Sequence, residues 1–299
     1  MFDLRYHVAS LAAVFFALII GILVGVALAS HGLGEGERDR LQEDLRRADA
    51  QSDSLRAQVD ALEGNGAANA AFVEKSYKVV MADRLKGARI AVLFVGSIDR
   101  DAQSAITAAL GDAGGEELRL RVLKVPINEQ ALAQRLREGR PFLRAYAGSN
   151  RLDDLGQAMG QEFVAGTDTP LWNALETLIV ERRAGPLPPP ADGVVVVRDV
   201  SAQTGATAGF LKGMYQGLRD LGVPVVGVEP TSGDGTAIEA FKKAGLSTVD
   251  DLDLPTGKLA LVVLLGNPML SGNFGTKNPP SDDGRLPNVP TLPTTTTGG

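Results

Sequence analysis

The sequence predicts an α/β protein in which an N-terminal transmembrane helix and a short coiled coil precede a Rossmann-like parallel-sheet domain. Three observations carry that prediction. Residues 8–29 hold no charged side chain; a polar, leucine-bearing stretch follows with apolar residues spaced alternately four and three apart; and from residue 89 onward Val- and Leu-rich runs alternate with amphipathic stretches. The organisation reads as 1–30 for a tail and membrane anchor, 31–66 for a flexible joint and coiled-coil stalk, 67–287 for the α/β domain and 288–299 for a disordered Thr- and Gly-rich tail.

The first element follows from length and apolarity, because about 20 apolar residues suffice to cross a hydrocarbon core of roughly 30 Å. A secretory signal has an apolar stretch of about 7–15 residues, so this longer run reads as a retained anchor. The Ala27-Leu28-Ala29 triplet is the alternative, a small-residue site for cleavage. Small residues recur every fourth position at Ala9, Ala13, Ala17, Gly21, Gly25 and Ala29, and Gly21 and Gly25 form a GxxxG that lets a second helix approach closely. By charge alone the orientation is unsettled: Arg5 precedes the run, whereas Arg38, Arg40, Arg46 and Arg47 follow it. That count favours a cytoplasmic C-terminal side, but large domains translocate largely regardless of it.

The stalk has a seam of Leu41, Leu45, Ala48, Ser52, Leu55, Val59 and Leu62, the a and d positions of a left-handed coiled coil ending at Gly64-Asn-Gly66. About three heptads with Ala and Ser at the centre make a weak seam. With Leu41 at d, Asp44 falls at g and Asp49 at the next e, so like charges oppose a parallel homodimer and a membrane partner with basic flanks is an alternative to self-association. A third reading is an amphipathic helix docked on its own domain.

In the α/β domain, ARIAVLFVGS and ELRLRVLKVP read as strands, with helices DAQSAITAALGDAG and NEQALAQRLREG after them. TPLWNALETLIVERRAG reads as a helix before the PLPPPADG break. VVVVRDV then opens a second series: helix TGATAGFLKGMYQGLRDLG, strand VPVVGVEP, helix TAIEAFKKAG and the apolar run KLALVVLLG. Runs apolar on both faces imply strands covered by helices on two sides, not the alternating strands of a membrane barrel.

Composition excludes several chemistries. The net charge is −6 with no basic tail, which argues against nucleic acid as a partner. There is no Cys, and the two histidines, His7 and His31, both flank the anchor, so thiolate sites and His-based triads cannot be assembled in the domain. The loop before TGATAGFLKG is Gly- and Thr-rich, but Lys212 stands between Leu211 and Gly213 and the phosphate-loop spacing is not met. Thr231-Ser-Gly-Asp-Gly235 suits an anion at a helix start or a plain cap. Asp250, Asp251 and Asp253 lack the Gly and distal Glu of a calcium loop and read as a solvated turn. Met1, Met81, Met159, Met214 and Met269 are scattered, which suits core filling better than copper ligation. No cofactor and no catalytic group is expected, and no metal ligand set can be named. In SGNFGTKNPPSDDGRLPNVP, Phe274 and Lys277 are candidates to line a groove, against the plainer reading of a covering loop.

The combination and order of MFDLRYHVASLAAVFFALIIGILVG, the short coiled coil, GVPVVGVEP, AGLSTVDDLDLPTGKLALV and GNFGTK resemble the actinobacterial copper-transporter family often called MctB, over nearly the whole chain. The resemblance implies a single-pass cell-membrane protein with a cytoplasmic N-terminus and its bulk outside, and a role in copper efflux across the envelope, with a copper ion as cargo. Related members resemble septal accessory proteins that influence cell-wall hydrolysis. Residue chemistry and resemblance together lead to the expectation of a non-enzymatic, membrane-bound protein that works through homo-oligomer or partner contacts at Gly21, Gly25, Leu41, Leu45, Leu55, Val59 and Leu62. A small-ligand-binding α/β domain is the third class considered.

Overall fold

The computed structural model describes residues 4–31, 34–148, 151–186, 188–198, 201–231, 236–276, 284 and 286–290. The chain divides into two units, Met1–Ala71 and Phe72–Gly299. In the first, helix α1 runs Leu4–His31 and helix α2 begins at Gly34. The stretch Val8–Leu28 of α1 is long and apolar enough to cross a membrane and is exposed along its length.

Helix α2 spans Gly34–Met81 and corrects the expected end of the stalk, because it passes through Gly64 and Gly66 without a break. Each interior Gly costs about 1 kcal/mol relative to Ala. Ala67, Ala68, Ala70 and Ala71 restore propensity directly afterwards, and in the second unit the last turns gain tertiary support, with Met81 fully buried and Tyr77 packed against the same core.

The second unit continues with β1 (Arg89–Val95), α3 (Arg100–Asp112), β2 (Glu116–Leu123), α4 (Glu129–Glu138), α5 (Pro141–Arg144), α6 (Leu152–Ala165), α7 (Pro170–Ile179) and β3 (Val180–Ala184). After the Pro-rich turn come β4 (Gly193–Arg198), α8 (Gly205–Arg219), β5 (Val225–Val228), α9 (Ile238–Lys243), β6 (Ser247–Val249), α10 (Pro255–Leu265) and β7 (Asn273–Phe274). The seven strands make one sheet of order β3-β2-β1-β4-β5-β6-β7, parallel except for β3, which pairs antiparallel with β2. The Pro-rich stretch therefore does not split the domain.

Alternation along β1 shows how the two layers arise. Ala91, Leu93 and Val95 join the core under α4, α6, α7 and α8, whereas Ile90, Val92 and Phe94 join the core under α3 and α10. Successive side chains point to opposite faces, so an all-apolar strand buries both.

Three expectations are corrected. KLALVVLLG is helix α10 and not a buried strand; Pro255 opens it, and Ala260 to Leu265 are all buried, so no amphipathic period marked it as helical. VERRA leaves the α7 pattern to become edge strand β3, whose four exposed residues include Glu181, Arg182 and Arg183. Charges on an outermost strand discourage pairing with another chain. STV, read only as part of an acidic turn, is strand β6.

Helices α6 and α8 meet through two facing GxxxG motifs, Gly156/Gly160 and Gly213/Gly217. A Cβ on Gly213 would lie 1.9 Å from the Asp153 carbonyl oxygen and one on Gly156 2.1 Å from that of Phe210. Only glycine permits backbones this close.

Candidate functional site

The residues singled out from the sequence fall into two groups. In the first unit, Gly21 and Gly25 have no atom within 4 Å of the position a Cβ would take, so the small-residue ridge of α1 is open. On α2 the predicted seam is also uncovered: Leu41, Leu45, Leu55, Val59 and Leu62 are all exposed, between 50 and 71 %. The flanks are paired within the helix. Arg47 reaches both Glu43 and Asp44, and Arg56 lies 3.5 Å from Asp53. Asp44 thus has a cation of its own helix 3.7 Å away, which lessens the like-charge penalty a second copy would meet at that flank. Such exposed pairs are individually weak.

The second group lies in the α/β domain. Phe274 is 5 % exposed, in β7, and belongs to the apolar core, so it lines no open groove. Lys277 lies outside the described residues. Met81, Met159 and Met214 are fully buried in the two cores, as core filling requires, and Met269 is exposed. Among the described residues no group of three or more His, Cys, Asp or Glu side chains is placed to hold a metal ion.

Ligands of open α/β sheets bind beyond the strand C-termini, and here the ends of β5 and β6 are occupied by the protein's own carboxylates. Glu229, after β5, accepts from the Thr236 hydroxyl at 2.7 Å and the Ala237 amide at 2.8 Å. Asp250, after β6, accepts from the Thr276 amide at 2.6 Å, and Asp253 accepts from that of Thr231. Asp251, four residues before α10, is fully buried with the Thr256 hydroxyl on one oxygen. Of the expected solvated turn, Asp250 and Asp251 are therefore buried, whereas Asp253 stays exposed. Charge hid this from the sequence, since carboxylates are seldom buried unless hydrogen-bonded. Glu129 of α4 likewise approaches the Ala206 amide in the first turn of α8 at 3.4 Å, placing a carboxylate where a phosphate would otherwise sit.

Burial raises two carboxyl groups. Glu162 on α6 accepts from the Leu171 and Trp172 amides and caps α7; desolvation outweighs those bonds and pushes it to about 7. Asp251 is pushed to about 6, mainly by desolvation, with Asp250 and Asp253 adding repulsion against the Thr256 hydrogen bond. A carboxyl raised in the folded state binds its proton more tightly there. Its stabilising contribution is complete below the unfolded value near 4 and is lost as pH rises towards 6–7. We expect the denaturant midpoint of the domain to be lower at pH 8 than at pH 5, and Glu162→Gln to shrink that difference by roughly 1–2 kcal/mol, after discounting for the part of the carboxylate that water reaches. An unchanged difference in the variant would remove Glu162 as the source.

Taken together, the molecule is an α/β protein of Rossmann-like sheet order carrying an N-terminal helix fit to anchor it in a membrane. A profile of the family described as copper transport outer membrane protein, MctB, matches residues 1–281, and the chain belongs to that family. Relatives named copper transporter MctB, from Mycobacterium tuberculosis and Mycobacterium bovis, are 26 % identical over 305 aligned residues, covering 92 % of this chain and 95 % of each relative.

Three features escaped the sequence reading: the facing glycine pairs of α6 and α8, the buried arginines of β2, and a cavity beside α4. GQAMG and GMYQG were visible as spacings; the other two depended on which segments meet.

Proposed function

We propose that this chain is a non-enzymatic, membrane-anchored component of copper export across the cell envelope, and that it works as an assembly of identical copies joined through α1 and α2. The copper role rests on family membership and on the names of the mycobacterial relatives. The observation that supports an assembly is the uncovered seam: five large apolar side chains on one stripe of a polar helix, following an apolar helix with an open glycine ridge. One helix encloses no pore, so any passage of a copper ion requires several copies or a partner. Soft cuprous ions prefer sulfur ligands; with no Cys and with Met81, Met159 and Met214 inside the cores, the α/β domain offers a poor resident copper site. The proposed orientation has the N-terminus in the cytoplasm and the α/β domain outside.

The test is Leu45→Asp combined with Leu55→Asp in the full chain. We expect at least a hundredfold weaker self-association by sedimentation in detergent, since charge is introduced twice into the seam. The thermal transition of the α/β domain should stay unchanged, and copper tolerance should not be restored in a strain lacking the protein. Self-association and tolerance both at wild-type levels would defeat the proposal.

A further inference from the structure

A cavity of about 860 Å³ opens between α4, α5 and the start of α7, in the α/β domain and away from the strand ends. Its wall comes from the stretch QRLREGRPFLR and from the loop before α7. Three arginines line it, Arg135, Arg140 and Arg144, together with Asn173 and Thr169. Arg135 donates to the Ala174 carbonyl at 3.2 Å and Arg144 to that of Gly139 at 3.3 Å, contacts that orient the side chains without neutralising them. Among the described residues none of the three arginines is ion-paired. Of the two acids in the wall, Glu138 accepts from Gln134 at 3.1 and 3.2 Å, and Asp168 is the other.

The cluster is held in place by the fold. A Cβ on Gly139 would lie 2.5 Å from the Arg135 carbonyl oxygen and 2.6 Å from Leu143, so this glycine allows the tight turn that brings Arg135 and Arg144 to one wall. Thr169 is 2 % exposed and its hydroxyl has no hydrogen-bond partner. Thr169 therefore closes the inner wall of the cavity, and the exposed arginines supply its accessible polar surface. The first amides of α7 are already taken by Glu162, so the helix start itself is spent and the arginines dominate the site.

We infer that this cavity binds a small organic molecule bearing an oxyanion, a phosphate or a carboxylate. Guanidinium groups match both anions through paired N–H donors. A volume of this order suits a ligand larger than a bare ion. Three arginines against Glu138 and Asp168 leave the wall with a small excess of positive charge on a chain of net charge −6, which favours an anion over a metal cation, and the inference stands independently of the proposed copper role.

The test uses the full chain in detergent micelles, with glucose 6-phosphate and citrate as the phosphate and carboxylate probes and sodium chloride at matched ionic strength as reference. At a concentration about a hundredfold above its Kd, a probe should raise Tm by several degrees beyond chloride. Arg140→Gln and Arg144→Gln alter exposed side chains and should leave the unliganded Tm in place while weakening binding at least tenfold by calorimetry. A response to either probe that both substitutions weaken supports the site and identifies its anion. No response beyond chloride to either probe, or one that survives both substitutions, overturns it.

Discussion

Gly213→Ala should destabilise the α/β domain by about 3 kcal/mol or more and lower its Tm by roughly 10 °C. The new methyl would fall 1.9 Å from the Asp153 carbonyl oxygen, 2.6 Å from its carbonyl carbon and 2.8 Å from its Cα. All three are backbone atoms, so no rotamer change relieves the overlap and α6 and α8 must move apart. Their separation opens gaps around Leu155, Met159, Phe210 and Met214, which are buried in the same core. Gly209→Ala provides the control on the same helix. Nothing lies within 4 Å of a Cβ there, so the substitution should gain the difference in helix propensity, about 0.5–1 kcal/mol. Opposite signs for the two substitutions, read from denaturant midpoints, establish close approach as the cause. Equal effects would refute it.

Arg119→Ala should cost about 3 kcal/mol. This side chain is 1 % exposed on β2 and donates from Nη1 to the Phe163 carbonyl at 2.7 Å and from Nη2 to that of Pro189. It thereby ties the end of α6 and the Pro-rich turn to the sheet. Among the described residues no carboxylate pairs with it; burial, with Arg121 and Arg89 adding repulsion, lowers its pKa to about 10, so it remains protonated at neutral pH. Truncation leaves the buried Phe163 carbonyl without this donor, releases the part-buried Pro189 carbonyl and opens a cavity where the stem lay. Arg119→Met fills the space without replacing the hydrogen bonds, and because a buried charge is itself costly, it should lose about 1–2 kcal/mol less than Ala. A midpoint for Arg119→Ala within about 0.5 kcal/mol of the parent would show that the turn holds without it.

How far the fold could be read in advance differs by element. β1, β4 and β5 were legible as Val- and Leu-rich runs, β2 as an apolar run interrupted by Arg119 and Arg121, and α3, α4, α8 and α9 as amphipathic repeats between them. The edge strand β3 was not, because VERRA has the composition of a helix end and becomes a strand only by pairing with β2. β6 has three residues, too few for a pattern, and is defined by its place between β5 and β7. Of the candidate residues, Gly21, Gly25 and the Leu41–Leu62 stripe were visible because an uncovered helix displays its own period. Phe274 looked like a loop residue and proved to be core, since a two-residue strand at the sheet edge leaves no trace in local composition.

By itself the sequence determined the apolar N-terminal helix, the polar helix with its apolar stripe, and the alternating α/β order, all properties of residues near one another along the chain. Tertiary structure alone decided that Asp250, Asp251 and Glu229 would cap the strand ends, that four glycines would seat α6 against α8, and that three arginines would share one cavity wall. Asp250 with Thr276, the glycines of α6 and α8, and the α7 residues that complete the cavity beside Arg135–Arg144 are meetings of separate elements, and the free energy of burying a charge or bringing two backbones into contact is set by the neighbours that folding supplies.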